Sequence, residues 1–458
     1  MRDRGRLTSV NPANPDDVIV DANCSSPADV AAQAKRGRVA QAAWAAESSN
    51  VRANALSGAA NALRSASDEF TELTIREVGK PRTEARAEHA RAASILEYFA
   101  QQALDPSGET YTSPSGLLFT QRRPRGLAGL ITPWNFPMAI PLWKVAPALA
   151  AGNGVLLKPS TQALATAQML VEVLGRYLPK DLLQLVPGEQ ESAEALIDHV
   201  DLVSFTGSTL VGRSVAARAG ARGIPVQAEM GGQNAAIVLP DAEPDTTAPL
   251  LATAAMGYAG QKCTATRRVI VVDGSTKQWE DALERSILEL PLGDPGVDTT
   301  AVGPVISETA QSKFHAAIRL AERDGATVLG DGAKLPEVGY YVRPSIVTGL
   351  TADHPLLQEE TFGPLVAIVA VDTVREAIAV ANGTQYGLAA SVHGENLRNV
   401  LQVANSLDAG LIKINAPTTG VDYQLPFGGQ RSSSIGPREQ GKAAMVFYTS
   451  SHSVTIAG

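Results

Sequence analysis

The middle of the chain alternates short apolar runs with longer amphipathic stretches. Apolar runs occupy residues 127–131, 154–157, 183–186 and 202–205. Runs of this length are typical of strands buried on both faces, and the stretches between them are typical of the covering helices, two of which we expect to begin near residues 163 and 209. The alternation predicts an α/β fold with a parallel, doubly wound sheet, in which ligands bind at the carboxyl ends of the strands.

The same alternation begins again after a Gly-Gly pair. Strands are predicted at 235–239 and 268–272, and a helix over about 246–258 separates them. Further helices are predicted near 277–289 and 309–323. This second run indicates a second α/β unit.

The first hundred residues have a helical pattern. An Ala-rich helix is predicted from Ser26, which can cap its N-terminus, to Trp44. A second helix is predicted over 51–78, ending before Gly79, and a third over about 83–102. These helices are expected to cover a sheet formed by later parts of the chain.

Two further segments have the pattern of exposed strands. Residues 111–120 place turn residues between strand-like flanks, which predicts a hairpin, and residues 446–456 alternate in strand fashion. On the pattern alone, both are expected to be edge strands of the main sheet.

Composition narrows the class of protein. A chain of 458 residues is too long for one core, so two or three structural units are expected, and a hydrophobic content of 44% is ordinary for a globular protein. The net charge of −8 argues against a nucleic-acid partner, because no basic face dominates.

The expected location is the cytoplasm, with no membrane association. The charged start of the chain is not followed by an apolar signal region, and the apolar runs are too short to span a bilayer. The two cysteines do not form a disulfide framework and suit a reducing compartment.

Three residues carry the candidate chemistry. Cys263 lies in a Gly-Gln-Lys-Cys-Thr segment, Glu229 precedes Met-Gly-Gly, and Asn135 lies in a Thr-Pro-Trp-Asn-Phe-Pro segment. A thiol can attack a carbonyl, a carboxylate can activate the water that releases a thioester, and an amide can donate a hydrogen bond to an oxyanion. Taken singly, a cysteine is more often a small buried side chain, and a glutamate before Gly-Gly is consistent with a strand end.

A nucleotide site is indicated by a helix start rather than by the usual glycine motif. No Gly-x-Gly-x-x-Gly follows the first strand. Residues 205–212, Phe-Thr-Gly-Ser-Thr-Leu-Val-Gly, instead place small residues and free backbone N–H groups at a helix N-terminus, which favours a pyrophosphate. On this segment alone, a capped helix start without a ligand is an equal alternative. Lys158, at a strand end, could meet a ribose hydroxyl or a phosphate.

These segments, together and in this order, resemble the aldehyde dehydrogenase superfamily over nearly the whole chain. The resemblance implies an aldehyde dehydrogenase-like fold, with two doubly wound α/β domains and a β-strand oligomerisation arm, in a homodimer or homotetramer. The implied division is a cofactor-binding domain at 1–106 and 127–231, a catalytic domain at 232–439, and an arm at 107–126 and 440–458.

The resemblance also implies an NAD or NADP site and no metal site. Glu360 and Phe362 lie in a Glu-Thr-Phe-Gly-Pro segment that, in this family, holds the nicotinamide ribose and ring. The full predicted set of cofactor-binding residues is Ile131, Thr132, Pro133, Trp134, Lys158, Ser160, Thr161, Gly188, Phe205, Thr206, Gly207, Ser208, Val211, Glu360 and Phe362.

Thr161 bears on the choice of cofactor. Relatives that prefer NAD commonly have a glutamate at this position, where it accepts hydrogen bonds from the adenosine ribose. A threonine does not repel a 2′-phosphate and Lys158 attracts it, so NADP is expected to be accepted. Alternatively, Thr161 is neutral and NAD binds through other contacts.

The implied reaction oxidises an aldehyde through a cysteine thiohemiacetal and a thioester that water hydrolyses. Cys263 is the expected nucleophile, Glu229 the base for water, and Asn135 the oxyanion donor. Transfer of the thioester to coenzyme A is an alternative that Glu229 disfavours, because relatives with that activity tend to lack it. A non-catalytic protein on the same fold is a further alternative, which the intact trio disfavours.

The sequence of residues 415–429 resembles that of 2-oxoglutarate semialdehyde dehydrogenases. Succinate semialdehyde and sulfolactaldehyde dehydrogenases are near relatives. This resemblance implies a small anionic aldehyde. Residues 430–434 depart from the family pattern, with Arg431 for a lysine and Ser434 for a glycine, so a phosphonate or sulfonate aldehyde is an alternative. Trp143 is a candidate for the substrate tunnel or for core packing. Candidates for the anion's partner are Arg122, Arg123, Arg213 and Arg267.

Overall fold

The computed structural model describes residues 5–105, 108–114, 116–273, 276–330, 332 and 334–457. Its fold is built on two largely parallel sheets. The described helices are α1 (Pro27–Ala46), α2 (Ser49–Ser65), α3 (Ser67–Val78), α4 (Arg82–Gln102), α5 (Ala139–Ala150), α6 (Leu164–Gly175), α7 (Gln190–His199), α8 (Thr209–Ala221), α9 (Pro244–Met256), α10 (Thr276–Leu288), α11 (Glu308–Arg323), α12 (Pro355–Gln358), α13 (Val374–Asn382), α14 (Leu397–Ala404) and α15 (Gly441–Phe447), with short 3₁₀ segments at Thr161–Ala163 and Gly257–Gly260. The described strands are β1 (Arg6–Asn11), β2 (Asn14–Asn23), β3 (Thr110–Tyr111), β4 (Gly116–Pro124), β5 (Leu127–Thr132), β6 (Gly154–Pro159), β7 (Leu183–Leu185), β8 (Leu202–Thr206), β9 (Val226–Glu229), β10 (Ala235–Val238), β11 (Arg268–Val272), β12 (Thr327–Leu329), β13 (Ser345–Thr348), β14 (Leu365–Val371), β15 (Tyr386–Gly387), β16 (Ala389–His393), β17 (Leu411–Ile414), β18 (Gln430–Arg431), β19 (Ser434–Ile435) and β20 (Thr449–Ala457).

The first sheet has the strand order β19-β9-β8-β5-β6-β7. Its strands run parallel except for β19, which is antiparallel to β9. Apolar side chains of α2, α4, α5 and α6 pack on one face, and those of α1, α7 and α8 pack on the other. The predicted doubly wound sheet is therefore confirmed for this unit.

The second sheet has the order β12-β13-β14-β11-β10-β16-β17, and β12 is its antiparallel edge strand. Helices α9 and α10 supply one apolar layer, and α13 and α14 supply the other. Both faces are covered, as the apolar runs of the central strands require.

The helix predicted over 51–78 is two helices. Ala66, with φ −99° and ψ 21°, ends α2 and begins α3. Serines on either side of Ala66 favour a break, because their hydroxyls compete for backbone hydrogen bonds, and Ser65 bonds back to the Asn61 carbonyl. The predicted end at Gly79 is confirmed, with the glycine in the left-handed region at φ 65°.

The segments expected at the edge of the main sheet form a separate sheet, in the order β20-β4-β3. The expectation from the pattern alone is therefore wrong. The C-terminal strand begins at Thr449, because residues up to Phe447 belong to α15. Ser115, in the predicted turn, lies outside the described residues.

One contact crosses the predicted domain division. Strand β19 lies within the predicted catalytic range 232–439, yet it pairs with β9 of the first sheet. The predicted boundaries stay a prediction. Of the helices in the described part of the chain, none is both long enough and apolar enough to cross a membrane.

Candidate active site

The segment before Cys263 has an unusual backbone. Tyr258, Ala259 and Gly260 all have positive φ values, of 56°, 52° and 65°. At Gly260 an added Cβ would lie 2.3 Å from the Gly363 carbonyl oxygen, so only glycine fits there. This turn leads from α9 to the half-buried Cys263.

Asn234 fixes the backbone around the cysteine. Its Nδ2 donates to the carbonyl oxygens of Cys263 and Ala265, each at 2.8 Å, and its Oδ1 accepts from the Ala389 N–H at 3.0 Å. Asn234 is buried at the start of β10. Sequence reasoning missed this residue, although a polar side chain immediately before a fully apolar strand was a usable signal.

Asn135 is buried on the loop after β5. Its Nδ2 donates one hydrogen bond, of 3.0 Å, to the Gln261 carbonyl, two residues before Cys263. Gln261 is in turn fixed by the Ile306 N–H, which donates to its Oε1 at 2.8 Å. The amide of Asn135 has a second N–H, so it can serve both the loop and an oxyanion.

Glu229 ends β9 and is buried. Its Oε2 accepts from the Ser434 hydroxyl, while its Oε1 has no hydrogen-bond partner among the described residues. Burial raises the pKa of Glu229 well above its ordinary value, Glu439 adds to the rise, and the Ser434 hydrogen bond opposes it. A carboxyl with a raised pKa and one unpaired oxygen is suited to accept a proton.

A buried polar network lies close enough to Glu229 to affect its charge. Lys144 and Glu439 form an ion pair with both side chains buried. The second oxygen of Glu439 accepts from the Trp143 Nε1 at 2.7 Å, and Lys144 Nζ donates to Ser204 Oγ at 2.7 Å. The sequence analysis did not predict Lys144, Glu439 or Ser434 as site residues.

The Cys263 thiol is protonated in this environment. Burial raises its pKa to about 12, and the carboxylates of Glu360 and Glu229 add to the rise. The thiol therefore requires a proton acceptor before it can act as a nucleophile.

Two cavities meet at Cys263. The first, of about 190 Å³, and the second, of about 250 Å³, share Ile140 and Cys263 in their walls. The first cavity is lined by Pro133, Trp134, Asn135, Ile140, Thr206, Gly207, Ser208, Met230, Gly231, Cys263, Glu360 and Phe362. The second is lined by Glu84, Ala87, Glu88, Arg91, Phe136, Ala139, Ile140, Trp143, Lys262, Cys263, Thr264, Thr419, Gly420, Val421 and Phe427.

A third, larger space, the outer cleft of about 710 Å³, brings together Lys158, Ser160, Thr161 and Gly188. Lys158 is buried, and the loss of water lowers the pKa of its ammonium group to about 8.

The remaining predicted cofactor residues lie around these spaces rather than in their walls. Ile131 and Phe205 pack in the core of the first sheet, and Thr132 is buried at the end of β5. Val211 is exposed on α8. These four residues line neither space, and the assignment of the whole predicted set to cofactor binding stays a prediction.

The first cavity and the outer cleft fit a nicotinamide dinucleotide. The buried Thr206 Oγ1 has no partner in the described chain, and it lies at the start of the α8 turn, where backbone N–H groups favour a pyrophosphate. Glu360 accepts from the Gly232 N–H at 3.2 Å, and a Cβ on Gly231 would lie 2.2 Å from its carboxylate. Phe362 meets Trp134 edge-to-face, with ring centroids 5.7 Å apart.

The four arginines that are candidates for binding a substrate anion lie outside the wall of the second cavity. Arg122 and Arg123 are on β4, and Arg213 donates to Ser432 Oγ at 2.7 Å. Arg267 is buried and donates to the Gly363 and Gly260 carbonyl oxygens, both at 2.6 Å. In the part of the chain that the structure describes, none of these four lines the second cavity. Trp143 lines it and also packs against Phe427, so core packing is confirmed, and its place in a substrate tunnel stays a prediction.

Comparisons with known proteins agree with this geometry. The model of the aldehyde dehydrogenase family matches residues 1–454. The chain is 37% identical to an alpha-ketoglutaric semialdehyde dehydrogenase of Bacillus subtilis, with 97% of this chain and 93% of that protein covered. It is 38% identical to an alpha-ketoglutarate semialdehyde dehydrogenase of Haloferax volcanii, with 97% and 94% covered. The crystal structure of an NAD-dependent aldehyde dehydrogenase from Sinorhizobium meliloti superposes with a TM-score of 0.95 at 31% identity, with 99% of this chain and 91% of that chain covered.

Proposed function

The chain belongs to the aldehyde dehydrogenase family, oxidoreductases that act on aldehydes with NAD or NADP, and from this premise we propose that it oxidises a small anionic aldehyde to the carboxylic acid. Cys263 is the nucleophile, Glu229 is the base for the hydrolytic water, and Asn135 stabilises the oxyanion.

The position of Cys263 carries the proposal. Its thiol lies in the wall shared by two cavities, one of which fits the dinucleotide while the other remains free for a substrate. A carbonyl carbon bound there is accessible from both sides. This arrangement suits a nucleophile that holds a substrate while its hydrogen faces an acceptor.

The chain's own groups account for the first bond change. The Cys263 proton passes to Glu229, the sulfur bonds to the aldehyde carbon, and the carbonyl oxygen takes the negative charge. The second N–H of Asn135 and the Cys263 backbone N–H stabilise that oxygen. Bound NAD or NADP supplies the acceptor for the hydride that the substrate carbon loses.

Hydrolysis uses the same carboxylate. Glu229 first releases to solvent the proton that it took from Cys263. The ionised carboxylate then takes a proton from water, the hydroxide adds to the thioester carbonyl, and the carbon–sulfur bond breaks to release the acid. The proton returns to the thiolate. The raised pKa of Glu229 makes it a stronger proton acceptor than an ordinary carboxylate.

The choice of substrate class rests on the relatives and on the altered segment 430–434. The relatives of 37% and 38% identity are named for a semialdehyde that carries a carboxylate. Arg431 is not among the residues that line the second cavity and pairs with Asp408, while Ser434 contacts Glu229. Of the two, only Ser434 therefore acts on the proposed base, and the names of the relatives favour a carboxylate over a phosphonate or sulfonate.

For the cofactor, we infer that NADP is accepted as well as NAD. Thr161 lines the outer cleft without a charge, and Lys158 lies in the same wall. Separate Michaelis curves for NAD and NADP test this inference, and activity with NAD alone would contradict it.

The expected assembly is a homodimer or homotetramer, since members of this family are typically oligomeric. The sheet β20-β4-β3 supports this proposal, because it presents a cross-strand pair of half-exposed apolar residues, Leu117 and Ile456.

Two variants test the assigned roles. Cys263→Ala should abolish formation of reduced cofactor while NAD still binds, because the nucleophile alone is lost. Glu229→Gln should give a burst of reduced cofactor followed by slow turnover, because the amide cannot activate water.

Stopped-flow absorbance with 2-oxoglutarate semialdehyde measures both phases, and Cys24→Ser is the control for loss of a cysteine elsewhere. Normal steady turnover by Glu229→Gln would show that its role is assigned wrongly.

A further inference from the structure

Among the residues that the structure describes, one charged side chain in the wall of the second cavity has no ion-pair partner. Glu84 in its wall pairs with Lys262, also in its wall, at 2.6 Å. Glu88 pairs with Lys80, with both side chains buried, and also accepts from the Met138 and Ala139 N–H groups. These pairs neutralise the acidic residues of the wall.

Arg91 is the remaining ionised side chain. It is half-buried in the wall, and within the described residues it makes neither a hydrogen bond nor an ion pair. A guanidinium group presents five N–H donors in a planar arrangement that matches a carboxylate. A half-buried arginine that finds no protein acceptor leaves these donors for a ligand.

The face of α4 explains how Arg91 reaches the cavity. Glu84, Ala87, Glu88 and Arg91 follow the i, i+3, i+4, i+7 spacing, so they form one stripe along the helix. Arg91 lies about 10 Å along the axis from Glu84, which pairs with the residue next to Cys263. This separation suits an anion joined to the aldehyde through several carbons.

The space between Arg91 and Cys263 suits such a carbon chain. Apolar and aromatic side chains complete the wall, among them Phe136, Ile140, Trp143 and Phe427. Trp143 and Phe427 lie with ring centroids 5.5 Å apart. Apolar walls with one cation that has no acidic partner distinguish an anionic aldehyde from a neutral one.

We propose that Arg91 binds the carboxylate of the substrate and thereby sets the preference for anionic aldehydes. This proposal rests on the proposed function, because it requires an aldehyde at Cys263. It assigns Arg91 to substrate specificity and leaves the bond-breaking steps to Cys263 and Glu229.

The test compares two aldehydes of similar length, 2-oxoglutarate semialdehyde and neutral pentanal, at saturating NAD. Arg91→Met should lower kcat/KM for the anionic aldehyde about 10- to 100-fold, mainly through KM, because a charge-assisted hydrogen bond to the carboxylate is lost. Its kcat/KM for pentanal should stay within about twofold of the parent value, since pentanal makes no such bond. Arg91→Lys, which keeps the charge but not the planar donors, should recover part of the loss.

The matched control is Arg86→Met. Arg86 lies on the same helix, is exposed and contacts Asp298 at 3.4 Å rather than the cavity. Arg86→Met should change kcat/KM for neither aldehyde. Inhibition by glutarate adds a readout that involves no turnover: glutarate should compete with the semialdehyde in the parent enzyme and much more weakly in Arg91→Met.

Each failure has its own pattern. Equal loss for both aldehydes, or no loss for either, would overturn the role of Arg91 while the parent enzyme still oxidises aldehydes. A parent enzyme that favours pentanal would overturn both the anionic substrate and Arg91. A parent enzyme that reduces neither cofactor with any aldehyde would overturn the proposed function itself.

Discussion

At the scale of single residues, neighbouring groups shape both the proposed base, Glu229, and the proposed nucleophile, Cys263. Cys263, Glu229 and Asn135 could be predicted because their chemistry and local motifs are visible in the sequence. Ser434, Glu439 and Lys144 could not be predicted as their partners, because these residues meet only in the folded chain. Arg91 escaped prediction for another reason: a charged helix residue looks the same in sequence whether it faces solvent or a cavity.

Ser434 supplies a prediction about pH. Its hydroxyl donates to Glu229 and favours the charged form, whereas burial raises the Glu229 pKa. Ser434→Ala removes only the lowering contribution, so the pKa of Glu229 should rise further. Because hydrolysis requires ionised Glu229, the acidic limb of the kcat profile should move to higher pH.

The measurement is kcat between pH 5.5 and 9.5 under conditions where hydrolysis limits turnover. Ser432→Ala is the neighbouring control, because the Ser432 hydroxyl contacts Arg213 and not Glu229. A limb that moves to lower pH, or does not move, would contradict the assigned hydrogen bond.

At the scale of elements, buried strands were the most predictable part of the fold. The strands β5, β6, β8 and β11 follow their apolar runs to within a residue or two, because both faces of each strand are covered. The hairpin of β1 and β2 was missed, since its polar, half-exposed residues give no apolar run. The left-handed turn at Tyr258–Gly260 was also not predicted, because tertiary contacts impose it.

The connection from β10 to the cysteine loop gives an element-scale prediction. Asn234→Ala removes the partners of three buried backbone groups, at Cys263, Ala265 and Ala389. The free energy of unfolding should fall by about 3 kcal/mol, and exchange of the backbone amides in 257–266 should accelerate.

Hydrogen-exchange mass spectrometry and urea denaturation measure these two effects. The control is Asn61→Ala on the exposed side of α2, where the side chain accepts a hydrogen bond from Arg64. Unchanged exchange in 257–266 would show that Asn234 does not hold the loop.

At the scale of the whole molecule, the sheet β20-β4-β3 stands apart from both main sheets. The alternation of polar and apolar residues could not predict that these strands form a separate sheet, because an edge strand and a separate arm have the same pattern. Only the resemblance to a family suggested an arm, and its role in assembly remains a prediction.

Assembly can be tested on the apolar cross-strand pair of this sheet. The double variant Leu117→Ser and Ile456→Ser should lower the molecular mass in solution, because it removes apolar area from an interface. Light scattering after size-exclusion chromatography measures the mass. Val39→Ser, at an exposed apolar position on α1, is the control, and an unchanged mass in the double variant would exclude this face as the interface.

The pairing of β19 with β9 has a consequence for biosynthesis. Ser434 and Glu439 complete the surroundings of Glu229, yet Ser434 is added 205 residues after it. A nascent chain can fold the strand that carries Glu229, and later the loop that carries Cys263, before either is joined by its C-terminal partners. Chains released before residue 434 would therefore contain Cys263 and Glu229 without the groups that tune the pKa of Glu229.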